Sequence, residues 1–424
     1  MRKDDDTMPR SHLPLLVMVA ALGVPAWAGA QLALPGPDLR GAAPGLLNTV
    51  TGALPLDQLE RLSPTRLAES LLAARTDRLA SLVRRSNGDV AFDDQGQPAV
   101  RNAILATGAS PADIEALRKA GYDPQAERIE GLDLSVTRLT VPDGETLARA
   151  IRAVRKLAPQ AEVSSDPLYF ASGVAPTASV AALANRPGPA TGALGLIDGG
   201  VAAISSLTGP IEQRGFAKSA PMASPHGTAV ASLLTGNGPI KGPAPGTPLL
   251  VADVYGGDPA GGNALALARA LGWMASRGVR IVTMSLVGPP NPLLNGAVRA
   301  AQAKGVTIVA AVGNDGPAAP PAYPASWPGV IAVTGVDGRN RALIEAGKSL
   351  HLDFAAPGAD MRAADMKGGS ARVRGTSFAA PLVAARLARA GSIDALSAEA
   401  KDLGKKGPDA TYGRGLICET CRNN

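Results

Sequence analysis

Five apolar runs of strand length recur between residues 193 and 336: ALGLI (193–197), PLLVADV (248–254), RIVTMSL (280–286), VTIVAAV (306–312) and VIAVTGV (330–336). Each is apolar on both faces, so none suits a sheet with one wet side. Helical stretches stand between them, among them 226–236, 261–278 and 291–305. Strands alternating with helices predict a mostly parallel sheet covered on both faces. Aromatic residues are only 3% of the chain, so Ala, Leu, Val and Ile must build that core. Ligands on such sheets bind beyond the carboxyl ends of the strands, and chemistry is to be sought there.

The upstream half follows another rhythm. Residues 31–100 hold a Gly/Pro-rich start and then Leu and Ala at helical spacing over 56–85, predicting one or two helices split near Pro64. From about Asn102 the order is β-α-β-β-α-β: a strand at 102–107, a helix opened by Ser110-Pro111, strands at 126–132 and 134–141, a helix capped by Asp143, and a strand at 161–164. That order is a small α+β sandwich with both helices on one face. An Ala/Pro/Gly-rich stretch over 172–191 reads as a linker. The expected organisation is therefore 1–30 signal peptide, 31–100 helical N-terminal region, 101–171 small α+β domain, 172–191 linker and 192–424 main domain.

Composition narrows the function. With 49 Gly and 36 Pro in 424 residues, the chain stays below the roughly 25–30% of low-complexity sequences. The net charge of +6 is uneven: 23 basic and 15 acidic residues from Ala171 onward, against 19 and 21 before it. The two halves attract each other weakly. The basic residues are scattered and aromatic interleaving is absent, so no nucleic-acid partner is expected. Three His residues (His12, His226, His351) exclude a His-rich metal centre, and neither metal nor cofactor is expected. Cys418 and Cys421 have no second pair for zinc and read as a short surface disulfide. Residues 13–30, LPLLVMVAALGVPAWAGA, form an apolar core ending in small residues, the pattern of a cleaved export signal. No other stretch could cross a bilayer as a helix, so the mature protein is expected in the periplasm or medium without a membrane span.

Three junctions carry candidate chemistry. Asp198 follows the strand ALGLI, His226 opens a helix, and Ser377 lies in GTSFAAP (375–381) at the start of another. A hydroxyl is a poor nucleophile at neutral pH unless a base lies within hydrogen-bond reach. An imidazole base needs a carboxylate to fix its tautomer and stabilise its charged form. No His follows Ser377, which excludes an esterase on an α/β-hydrolase scaffold. The order Asp, His, Ser remains.

GTSFAAP resembles the nucleophile segment of the subtilisin-like serine proteases, or subtilases, in which Met commonly stands where Phe378 does. HGTAVAS (226–232) resembles their histidine segment and LGLIDGGV (194–201) their aspartate segment. Residues 306–337 are similar to the segment that carries their oxyanion Asn, here Asn314. MSLVG (284–288) resembles their substrate-binding edge strand, and YGRGLI (412–417) their closing segment. The resemblance implies a subtilisin-like fold and a serine endopeptidase acting on polypeptides, with Asp198, His226, Ser377 and Asn314 catalytic. It further implies that Ser285, Leu286 and Gly288 on one side, and Ala311 and Gly313 on the other, flank an extended substrate.

Intact catalytic positions argue against the rival reading, an inactive subtilase fold used as a binding or folding partner. One departure stands out: Gly199 follows the aspartate where the family has Thr or Ser, which implies a lost hydrogen bond near Asp198. Pro381 is expected within or just past the first helical turn, where little or no backbone donor is lost. Residues 102–170 resemble the propeptides that fold and then inhibit subtilases, with SSDPLYFAS (164–172) lying in the cleft as a substrate would.

Overall fold

The computed structural model describes residues 61–172, 181–188 and 191–423. The signal-like stretch, the start of the N-terminal region and half of the linker lie outside the described residues. Helix α1 (Pro64–Arg85) begins where a split was expected, with Ser63 as N-cap and Pro64 in the first turn. Proline fits there because its missing N–H would have no partner anyway.

The small sheet comprises β1 (Val90–Phe92), β2 (Pro98–Thr107), β3 (Gln125–Arg128), β4 (Ser135–Leu139) and β5 (Glu162–Pro167). Strands β1 and β4 take successive parts of one edge of β2, β5 takes the other, and β3 extends from β4, all antiparallel. Helix α2 (Pro111–Lys119) is fixed by a reciprocal Ser110–Asp113 capping box. Helix α3 (Leu147–Leu157) is capped by Thr146 rather than Asp143. Gly144, at φ +79°, turns the chain between them and cannot belong to the helix. Leu117 of α2 and Ile151 and Val154 of α3 share one core with Ile104 and Leu139, so both helices cover one face. Leu105 and Val136 point to the other face and join the core of the main domain.

After the two-residue β6 (Phe170–Ala171), the main domain supplies β7 (Leu194–Asp198), β8 (Ile211–Gly215), α4 (Pro225–Thr235), β9 (Leu249–Asp253), α5 (Ala264–Ser276), β10 (Ile281–Met284), β11 (Leu286–Val287), α6 (Pro292–Ala303), β12 (Thr307–Ala311), β13 (Ile331–Val336) and β14 (Phe354–Pro357). Seven strands form a parallel sheet in the order β14-β13-β12-β10-β7-β9-β8. The five runs read from the sequence are the inner five. The two edges, β8 and β14, were not anticipated: IEQRG carries charge, as edge strands commonly do, and FAAP is a buried run of four residues that ends in proline. Val309 and Ala311 face the core that holds α4 and the long helix α7 (Thr376–Ala390), whereas Ile308 and Ala310 face α5 and α6. Helices thus cover both faces. Cys418 and Cys421 are disulfide-bonded beside the first of these cores.

The small sheet docks through polar groups as well as apolar ones. Gly131 lies against Gly272 of α5 so closely that a Cβ would fall 2.1 Å from the Gly272 carbonyl oxygen. Arg269 forms a bidentate pair with Glu127, at 2.5 and 2.7 Å. Asn291, the N-cap of α6, donates to the Ser165 carbonyl. Asp166 accepts from Leu265 N–H at the start of α5, at 3.0 Å. Burial pushes the Asp166 carboxyl up to about 7, against the pull of that N–H and of Arg138 and Arg269. A raised native value means the neutral acid is the form that docks comfortably, so docking weakens as pH rises from about 4 through 7. In the uncut Ser377→Ala protein, Asp166→Asn should flatten part of the fall in melting temperature between pH 4 and 7. Identical profiles for the two proteins would remove Asp166 from that account.

Candidate active site

Three of the predicted residues meet at the carboxyl edge of the sheet. Asp198 ends the inner strand β7. His226 is the second residue of α4, whose N-cap is Ser224 and whose first residue is Pro225. Ser377 is the second residue of α7, entered through Gly375 at φ +142°, a conformation open to glycine alone. His226 Nδ1 lies 2.9 and 3.0 Å from the two Asp198 carboxylate oxygens, and Nε2 lies 2.9 Å from Ser377 Oγ. All three residues are at most 1% exposed. Asp198 also accepts from Gly199 N–H at 2.7 Å, and Phe378 packs at a tilt on the His226 ring. An Asp-bound Nδ1–H leaves Nε2 as the acceptor for the Ser377 hydroxyl proton. The other described histidine, His351, donates from Nε2 to the Val330 carbonyl and lies apart.

Asn314 stands beside this row. Its side-chain oxygen accepts from Thr376 N–H at 3.0 Å, whereas its buried Nδ2 has no partner. Thr376 completes the lock: its hydroxyl accepts from Gly313 N–H and donates to the Gly313 carbonyl. One residue before Ser377 therefore fixes both the glycine and the amide that precede Asp315. Asp315 in turn pairs with Arg75 and Arg78 of α1, and Leu71 lies under Gly316.

Residues 168–172 occupy the groove in front of Ser377. Ala171 and Phe170 pair antiparallel with Leu286 and Val287 of β11. Ser172 N–H donates to the Ser285 carbonyl at 3.1 Å, and the Ser172 carbonyl accepts from Ser377 N–H at 3.0 Å. The opposite flank differs from expectation. Ala311 is buried in the core, and the Gly313 N–H and carbonyl are spent on Thr376 and Gly347. Instead the loop after β9 borders the segment: Leu168 bridges Asn263, Tyr169 N–H donates to the Gly262 carbonyl, and Tyr255 Oη donates to the Tyr169 carbonyl. The signal for this flank is YGGDPAGGN (255–263), a glycine-rich loop at the carboxyl end of an inner strand.

Two local expectations change. A Cβ on Gly199 would fall 2.3 Å from Ser224 Oγ, so the Ser224 side chain fills the space that a Thr or Ser at 199 would need. Pro381 lies six residues into α7, inside the helix, and its missing N–H leaves the Ser377 carbonyl without its helical donor. Ser285 Oγ–H donates to that carbonyl at 2.8 Å. Ser285 thus binds the groove segment through its backbone and braces the Ser377 turn through its side chain.

Residues 211–403 match the model of the Subtilase family. Among curated relatives the chain is 34% identical over 163 residues to subtilisin BL of Lederbergia lenta, covering 38% of this chain and 60% of that one. It is 33% identical over 171 residues to the major intracellular serine protease of Bacillus subtilis, covering 38% and 54%. The match thus spans less than two thirds of either relative. Among solved structures, fervidolysin from Fervidobacterium pennivorans, a keratinolytic enzyme related to subtilisin, has a TM-score of 0.62 at 17% identity, over 77% of this chain and 61% of that one. The epidermin leader peptide processing serine protease of Staphylococcus aureus has a TM-score of 0.57 at 16% identity, over 76% and 98%. Both show the same fold.

Replacing Ser285 with Ala should orphan the Ser377 carbonyl and destabilise the uncut Ser377→Ala protein by about 1–3 kcal/mol. Chemical denaturation of the two proteins measures this directly. Equal midpoints would mean that the hydroxyl does not brace the helix.

Proposed function

We propose that the protein is an exported serine endopeptidase made as a pro-enzyme. The observation that carries the reading is the pairing of a peptide carbonyl on Ser377 N–H with an unpartnered buried amide, Asn314 Nδ2, beside the Asp198–His226–Ser377 row. Ser377 Oγ attacks a peptide carbonyl carbon while His226 Nε2 takes its proton, and Asp198 stabilises the imidazolium. Negative charge gathers on the carbonyl oxygen, where Ser377 N–H at the helix N-terminus and Asn314 Nδ2 donate to it. The tetrahedral adduct collapses, the C–N bond breaks, and His226 returns the proton to the departing amine. Water, deprotonated by His226, then hydrolyses the acyl-enzyme.

The upstream half acts as the propeptide. Its support is the seating of residues 168–172 as an extended strand, with the Ser172 carbonyl where a substrate carbonyl belongs. Helix α1 adds a second hold, because Arg75 and Arg78 grip Asp315 next to the oxyanion amide. The first bond cut is then Ser172–Gly173, and the freed carboxylate end stays as an inhibitor until the small domain is degraded. A parallel sheet depends on non-local contacts and folds slowly, so a docked template is useful. Export rests on residues 13–30, which lie outside the described part; among the described residues no helix is long and apolar enough to cross a membrane.

Full-length protein should yield a mature form beginning at Gly173, read by N-terminal sequencing. Ser377→Ala should accumulate uncut, with turnover on casein reduced about a millionfold. Asn314→Ala should lose roughly a hundred- to a thousandfold in kcat with little change in KM. Casein cleavage by Ser377→Ala at the parental rate would overturn the assignment.

A further inference from the structure

Asp198 has a neighbour of its own kind that the catalytic row does not use. Strands β7 and β9 are parallel partners, and Asp253 ends β9 in register with Asp198 at the end of β7. Register partners on adjacent strands lie about 4.8 Å apart and present their side chains to one face. Asp253 is fully buried. Its carboxylate accepts from Met222 N–H at 2.6 Å through one oxygen, and from Tyr255 and Gly256 N–H at 3.0 and 2.9 Å through the other. On its other side β8 opposes it with Gly215, and Arg214 beside that glycine pairs with Glu130. The hydrogen-bond partners of the carboxylate are thus uncharged backbone groups, which orient it without neutralising its field. Burial pushes the Asp253 carboxyl up, the three N–H groups pull it down, and the Asp198 charge adds to the rise. Tyr255, from the loop after β9, feels both carboxylates as well.

Each contact of Asp253 leads toward the site. Met222 opens the stretch 222–224, whose other end is held by Ser224 N–H on the Gly200 carbonyl; Ser224 caps α4 two residues before His226. Val254 N–H, just after Asp253, donates to the Asp198 carbonyl. Tyr255 reaches the groove segment through its hydroxyl. We propose that Asp253 is a positioning residue for the reaction: it fixes the approach to α4 and, as a second buried anion beside Asp198, raises the basicity of His226. The proposal rests on the endopeptidase reading above. Taking the Ser377 proton turns His226 into an imidazolium, and a nearby anion favours that charged form. Asp253 acts through Asp198 and the α4 approach and touches neither His226 nor substrate. Asparagine in its place carries no charge and offers one acceptor oxygen where two are used. Glutamate keeps the charge and both oxygens but displaces them by a methylene.

The test measures kcat/KM against pH on a fluorogenic peptide amide, using the full chain after its own processing, for the parent, Asp253→Asn and Asp253→Glu. The acid limb reports the base of the free enzyme. In Asp253→Asn it should move down by roughly one pH unit, and kcat on the alkaline plateau should fall roughly three- to tenfold. In Asp253→Glu the limb should stay near its parental place even where kcat falls. The same downward shift is expected in the midpoint of the His226 ring titration, followed by NMR in the uncut Ser377→Ala protein, where no turnover is needed. If Asp253→Asn does not fold, Asp253→Ser in the uncut protein takes its place; failure of both to fold would reduce Asp253 to a folding role and overturn the proposal. An unmoved acid limb in Asp253→Asn, or an equal shift in Asp253→Glu, would also overturn it and leave the protease reading intact. A parent that cannot digest casein would overturn the protease reading and this proposal with it.

Discussion

A carboxylate, an imidazole and a hydroxyl lie in a row with almost no access to water, and the chain around them is arranged to make that tolerable. Buried polar groups cost several kcal/mol when unpaired, more when charged. Asp198 is satisfied by His226 and by Gly199 N–H, and His226 by Asp198 and Ser377. Every element that holds the row begins or ends at the carboxyl edge of the sheet. β7 stops at Asp198, and α4 and α7 start one residue before His226 and Ser377. The Asn314 amide beside the row, by contrast, is buried with its Nδ2 unpartnered. An orphaned donor beside a nucleophile is costly for stability and useful for catalysis, since it is prepaid polarity for a charge that appears only during reaction.

The same edge explains why the upstream half docks where it does. Leu265 N–H at the start of α5 takes Asp166 of β5 as its acceptor, and the side-chain amide of Asn291, the N-cap of α6, donates to the Ser165 carbonyl. With β5 placed, residues 168–172 have one path, between β11 and the loop after β9, which ends at Ser377. Charge follows suit: Glu127 and Glu130 upstream pair with Arg269 and Arg214 downstream. Among the described residues α1 reverses the polarity, with its arginines on Asp315. That contact places a helix on the loop that follows the oxyanion amide, a position the strand in the groove does not reach.

Much of this was legible in the sequence because inner strands of a parallel sheet are apolar throughout. All five were readable, and Asp198 fell at the end of one of them, whereas His226 and Ser377 open helices. The edges β8 and β14 were not: β8 carries charge and looks like a loop, and β14 is a buried run of only four residues ending in proline. The glycine-rich flank at 255–263 is not legible in the sequence because its function lies in backbone groups, which composition does not display. Pro381 and Ser285 were each noticed, but their connection was not: a carbonyl freed at one site and a hydroxyl 92 residues earlier meet only in three dimensions. Gly199 was read as a loss, whereas Ser224, 25 positions on, stands in the vacated space.

The central claim is that Ser377 is an activated nucleophile addressed by a carbonyl on its own N–H. The most direct measurement is mass spectrometry of the purified full-length protein after incubation with a serine-directed phosphonate. A single adduct on Ser377, in a form that begins at Gly173 and absent from His226→Ala, is the predicted result. An unmodified Ser377 in a correctly processed protein, or equal labelling without His226, would contradict it.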